Sequence, residues 1–128
     1  MTPMRYAAII LAILTGPAWA DCAPKSNPVI PSVLEQPYPE ARGKLIAAGW
    51  QPFLDQNQIS NPNPPPFAEE WIAETGFFEV EACSGTGRGF CKAVFVDKNK
   101  NWLRVITAEG AEDEHVVDST SLVCGPDD

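Results

Sequence analysis

The stretch FFEVEACSGTGRGFCKAVFVDKNKNWLRVIT, residues 77–107, decides the fold. Phe77–Cys83 and Cys91–Asp97 are strand-like runs flanking the glycine-rich Ser84–Phe90. A third run, Trp102–Thr107, follows the polar turn Asp97–Asn101. Directly opposed residues of an antiparallel pair are close enough for a disulfide, so Cys83 and Cys91 can face each other. That register pairs Val80 with Val94 and Phe78 with Val96. A four-residue turn over Lys98–Asn101 then pairs Val96 with Leu103 and Val94 with Val105. Side chains alternate along a strand, so Phe78, Val80, Val94, Val96, Leu103 and Val105 form one apolar face, the predicted core.

The opposite face carries Glu79, Glu81, the bridge, Phe95, Trp102, Arg104 and Ile106. Aromatics beside charges on an open sheet make Phe95, Trp102 and Arg104 the candidate ligand-binding residues, with Arg88 at the loop tip. The plainer expectation is that a proline-rich segment packs over them. Four cysteines allow three pairings. The hairpin register favours Cys83–Cys91, which leaves Cys22–Cys124 to tie the two ends together. Closing so long a loop is worth roughly 4–5 kcal/mol on chain-entropy reasoning.

Upstream, Pro39–Gly49 reads as a short helix. Pro39 suits its first position, Glu40 its first turn and Gly49 its left-handed stop. Tyr38, Ala41, Leu45 and Ala48 share a stripe, with Ile46 beside it. Trp50–Leu54 follows as a short strand. Residues 55–66 hold four prolines and three asparagines and read as a surface loop. Phe67–Thr75 reads as a second helix, with Phe67, Ala68, Trp71 and Ile72 on one face and Gly76 ending it. Downstream, a last strand includes His115–Val117 and the tail reaches Cys124. The expected fold is α+β: one or two short helices on a four- to five-stranded antiparallel meander, stapled by disulfides.

The first twenty residues have the layout of a secretory signal peptide. Arg5 precedes the apolar run Ala7–Leu14, and Ala18-Trp-Ala20 offers a small-x-small cleavage site before Asp21. The expected organisation is a signal peptide over 1–20, a proline-rich extended arm over 21–37 and one domain over 38–128. The expected location is the periplasm or the exterior, where thiols oxidise. Cys22 follows the leader, but Asp21 before it is not the small residue that lipoprotein processing requires, so a disulfide role is expected. No later apolar run approaches membrane-spanning length. Without the leader and its Arg5, 8 basic residues stand against 17 acidic ones, a formal charge of −9. That charge argues against nucleic acid and anionic lipid as partners, and suits a cationic one.

Catalytic motifs are poor. Gly85-Thr-Gly-Arg-Gly89 lacks the Gly-Lys-Ser/Thr ending of a phosphate loop. Asp97-x-Asn99-x-Asn101 starts like a calcium loop, but Trp102 stands where glycine should and Ala108 where glutamate should. His115, the only histidine, has no cysteine to share a metal with once the thiols are oxidised. It reads as a surface residue among Glu112, Asp113, Glu114 and Asp118, which would favour its protonated form. Ser119 and Ser121 lack a nucleophile-elbow context. The pairs Glu69/Glu70 and Glu79/Glu81 read as solvated faces, and Trp71 as core. No enzyme, metal or cofactor is expected.

Two runs carry a resemblance: Tyr38-Pro-Glu-Ala-Arg with Leu45-Ile-Ala-Ala-Gly-Trp-Gln-Pro52, and Glu81-Ala-Cys-Ser-Gly-Thr-Gly with Cys91. Together with Val105-Ile-Thr107 they resemble small secreted bacterial proteins of uncharacterised function that share a helix-Ala-Gly-Trp element and a Cys-Ser-Gly-Thr-Gly hairpin. The resemblance implies a periplasmic or secreted α+β domain and carries no activity. The helix-Ala-Gly-Trp piece alone is also similar to the helix-to-strand step of peptidoglycan-sensing PASTA modules, from whose pattern the cysteine-bridged strands depart. The functional expectation is an exported, non-enzymatic binding module for a protein partner, inhibitor-like, with an acidic surface for a basic target. The alternative is a cell-wall or small-ligand binder using the aromatic sheet face, and a small hydrolase is third.

Overall fold

The computed structural model describes residues 22–54, 69–84, 87–111 and 114–128. The expected leader 1–20, the loop 55–66 and Phe67, Ala68, Gly85, Thr86, Glu112 and Asp113 lie outside the described residues. The elements are α1 (Tyr38–Ala47), β1 (Gln51–Pro52), α2 (Glu69–Thr75), β2 (Val80–Cys83), β3 (Cys91–Val96), β4 (Trp102–Glu109) and β5 (His115–Val123). The five strands form one antiparallel sheet in which β1 and β2 share one edge of β3, while β4 and β5 follow on its other side. Two disulfides join Cys83 to Cys91 and Cys22 to Cys124. Among the described residues no helix is long and apolar enough to cross a membrane.

The local signals explain α1. A proline occupies its first turn with Glu40, where a missing N–H costs nothing and an acid meets the positive helix end. Gly49 stops it at φ 101°. The Gly49 amide donates to the Ile46 carbonyl at 3.1 Å and the Trp50 amide to that of Leu45 at 3.0 Å, a Schellman closure. Tyr38, Ala41 and Leu45 are buried, but Ala48 lies beyond the last turn and is exposed. The second helix begins at Glu69 and buries Ile72.

The sheet register departs from the expected one in two places. Cys83 faces Cys91 and Ala82 faces Lys92, but Val80 faces Ala93. Glu81 is therefore an extra, bulged residue in β2. The turn into β4 is one residue shorter than the sequence reading requires. Asp97 pairs with Asn101 (N to O 3.1 Å), and the Lys100 amide donates to the Asp97 carbonyl at 3.1 Å. Lys100 itself is left-handed at φ 63°, which makes this a three-residue hairpin loop with a bulge. Phe95 consequently faces Leu103, and Val96 faces Trp102. A one-residue slip exchanges the faces of a strand, so β3 is flipped relative to expectation.

The core face is thus Val80, Cys91, Ala93, Phe95, Leu103 and Val105, covered by Tyr38, Ala41, Leu45, Trp50 and Ile72 and closed by Val33 and Val117. Val94 and Val96 lie on the other face beside Trp102, Arg104 and Ile106, and Phe78 is exposed. The arm 22–37 is tied at intervals. The Glu35 amide donates to the Val117 carbonyl at 2.8 Å, and that of Val117 to Gln36 at 2.9 Å. Farther up the arm, the Trp50 indole donates to the Val29 carbonyl at 2.7 Å. The last strand extends well past Val117, to Val123, with Asp118 bulged out of its pairing.

Candidate functional site

The four candidate residues do not form one site. Phe95 is 0% exposed, in the core, because of the shortened β3–β4 turn. Trp102 and Arg104 do share the outer face, paired across to Val96 and Val94. Trp102 meets the Phe53 ring edge-on, with centroids 4.9 Å apart. Arg104 lies between Val94 and Ser121, and its buried Nε has no hydrogen-bond partner. Arg88 sits at the far end of the sheet, where its carbonyl accepts from the Glu109 amide at 2.8 Å. Its exposed guanidinium reaches Asp118 at 3.4 Å and lies 5.9 Å from the Phe90 ring centroid.

Two polar groups expected at the surface are instead buried. Glu79 is 2% exposed. It accepts from the Tyr38 hydroxyl at 2.9 Å and pairs with the Arg42 guanidinium, which lies 4.4 Å above the Phe77 ring. Burial, followed by the Glu79 charge, raises the Tyr38 hydroxyl well above its ordinary pKa. His115 is 8% exposed and stacks on Trp71 at 3.9 Å with an interplanar angle of 14°. Burial lowers its pKa despite the opposing charge of Glu109, so the ring is held neutral and not protonated as its acidic neighbours suggested. Its Nδ1 has no hydrogen-bond partner. Glu79 is hidden in sequence because β2 starts only at Val80 and leaves it in the preceding turn, and His115 because its stacking partner is 44 residues away. Among the described residues no group of three His, Cys, Asp or Glu side chains could hold a metal.

Apart from Trp102, sequence reasoning missed the residues around a cleft at the β3–β4 turn. The cleft has a volume of about 230 Å³ and lies beside the Cys22–Cys124 bridge. Lys25, Lys100, Asn101, Trp102 and Leu122 are among its lining residues. Asn101 is 6% exposed and joins three segments. Its Oδ1 accepts from the Lys25 amide at 2.7 Å, and its Nδ2 donates to the Lys25 carbonyl and to Asp97, both at 2.8 Å. Asp97 Oδ1 accepts from the amides of Asn99 (3.0 Å) and Asn101 (2.8 Å). Burial pushes the Asp97 carboxyl up, but the bonds from Asn101 and Asn99, with Lys98 nearby, hold it below its ordinary pKa. The polar run 97–101 signals a turn; its bond to Lys25, 76 residues away, has no local signature.

The opposite end of β4 is acidic. Glu109, Glu114 and Asp118 are exposed around the β4–β5 turn. The Gly110 amide closes that turn on the Glu114 carbonyl at 2.6 Å. The Glu109 side chain runs past Gly89, where an added Cβ would sit 2.8 Å from it. Comparisons with protein families, with curated proteins and with solved structures find no match.

Proposed function

We propose that the chain is an exported, non-catalytic binding module that engages a basic protein partner through its acidic β4–β5 end. The observation that carries this reading is the charge distribution. Arg42, Arg88 and Lys92 are each paired with a carboxylate of their own chain. Glu109 and Glu114 remain exposed on a closed turn with no ion pair among the described residues. An exposed acidic end of a sheet suits a basic surface, and complementary charge of this kind acts mainly on the association rate. The export half rests on the two disulfides, which persist in oxidising compartments.

The test uses a basic lysozyme as the probe and measures its association rate at low salt. Glu109→Gln/Glu114→Gln should slow association by about tenfold, the low end of electrostatic steering. Glu40→Gln, on the exposed side of α1, should change it little. Equal rates for the parent and the double variant would overturn the reading. A second reading, a small-ligand or cell-wall binder, is favoured by one observation: Trp102 lines the cleft.

A further inference from the structure

We propose that the cleft beside the Cys22–Cys124 bridge binds a small organic monocarboxylate, with Lys25 and Lys100 flanking the anion and Trp102 and Leu122 against its apolar body. This goes beyond the partner reading and uses the other end of the molecule. The cleft and the acidic turn sit at opposite ends of β4, about 23 Å apart at the usual rise per residue.

Charge selects the ligand. The chain is strongly acidic, yet two lysines and no acidic residue are among the described residues that line this cleft. Among the described residues neither lysine has an ion-pair partner that would compete with a ligand. The nearby Asp97 carboxylate is turned to Asn99 and Asn101, where three donors occupy it. Backbone geometry fixes where both lysine side chains leave the main chain. Lys100 holds a left-handed φ of 63°, at a hairpin position where glycine would be unstrained. Lys25 is held through both its amide and its carbonyl by the buried Asn101. The left-handed Ser26 and Asn27 turn the arm immediately after it. The disulfide anchors the same arm at Cys22. The backbone of the site is therefore formed before any ligand arrives, and only the two lysine side chains remain to be ordered on binding.

Size and donor set narrow the class. At about 230 Å³, the cleft is smaller than the 300–1,000 Å³ typical of drug-sized ligands, so it takes a body of ring size. Lysine offers a compact point charge and not a guanidinium fork. In a cleft of this volume a ring bearing a planar carboxylate fits more readily than one bearing a bulkier tetrahedral phosphate.

The experiment is a two-dimensional NMR titration of the full bridged chain with three near-isosteric probes: phenylacetate, phenylacetamide and phenyl phosphate. The expected result is saturable shifts at the Trp102 indole and the Asn101 side-chain amide. Phenylacetate should bind at least fivefold tighter than phenylacetamide and tighter than phenyl phosphate. Lys100→Gly relieves the left-handed strain and so keeps the fold, yet it should weaken phenylacetate at least threefold; Lys25→Gln should do the same. Equal binding of acid and amide, preference for phenyl phosphate, shifts elsewhere in the chain, or undiminished binding in a folded Lys100→Gly would each overturn the proposal. None of these outcomes bears on lysozyme association, which is read separately at the acidic turn.

Discussion

Replacing Asn101 with alanine removes the knot between the arm and the β3–β4 turn. Three side-chain hydrogen bonds are lost: two with the Lys25 backbone and one to the Asp97 carboxylate. The backbone bond from the Asn101 amide to Asp97 survives. At about 1 kcal/mol for each neutral bond and about 1.5–3 for the charged one, the gross loss is about 3.5–5 kcal/mol. Lys25 and Asp97 both stand near water and can rehydrate, which brings the net effect to about 2–3 kcal/mol. For a domain of this size that lowers the melting temperature by about 10–15 °C. Equilibrium urea unfolding with both disulfides intact measures it, and hydrogen exchange at the Lys25 amide should accelerate in parallel. Asn99→Ala is the control, because only the Asn99 backbone contacts Asp97. A loss below about 0.5 kcal/mol, within the range of an ordinary surface change, together with unchanged Lys25 protection, would refute the reasoning.

Phe95→Ala should cost about 3–5 kcal/mol in the same unfolding assay, as a filled core position does. Trp102→Ala should cost visibly less, since Trp102 is only half-buried on the outer face. Glu79→Ala should cost about 3 kcal/mol by stranding Arg42 and the Tyr38 hydroxyl. Glu81→Ala, removing the 3.2 Å contact with Lys92, should cost less than about 1 kcal/mol. His115 has a depressed pKa in the fold, so the unfolded chain binds its proton first. Stability should be flat above the unfolded value of about 6.5 and fall as pH drops through it toward the folded value. In His115→Gln that fall should vanish, leaving only carboxylate effects such as the depressed Asp97 at lower pH.

Legibility followed the range of the interaction. The first helix is written locally, in Pro39, Glu40 and Gly49, and lies within two residues of where those signals put it. The strands of the hairpin were legible from alternation and from Cys83 and Cys91, although the first begins at Val80 and not at Phe77. Register was not, because Glu81 bulges and the turn closes on Lys100 in a left-handed conformation, a choice that lysine does not advertise. Those two single-residue events bring Phe95 to the helix-covered face and turn Val94 and Val96 to the other, where Val94 is still fully buried. For the same reason they remove Phe95 from the candidate surface and leave Trp102 and Arg104 there. The cleft was invisible for a different reason. Lys25 and Lys100 are ordinary charges in sequence, and only the Asn101 bonds and the end-to-end bridge bring them together.

The claim beneath all of this is that the chain is exported and works in its bridged form. Intact-mass and non-reducing peptide analysis of protein purified from its native envelope tests it most directly. The account predicts a chain beginning at Asp21, four hydrogens light, with linked peptides for Cys22–Cys124 and Cys83–Cys91. A chain that keeps Met1 and carries four free thiols would contradict it.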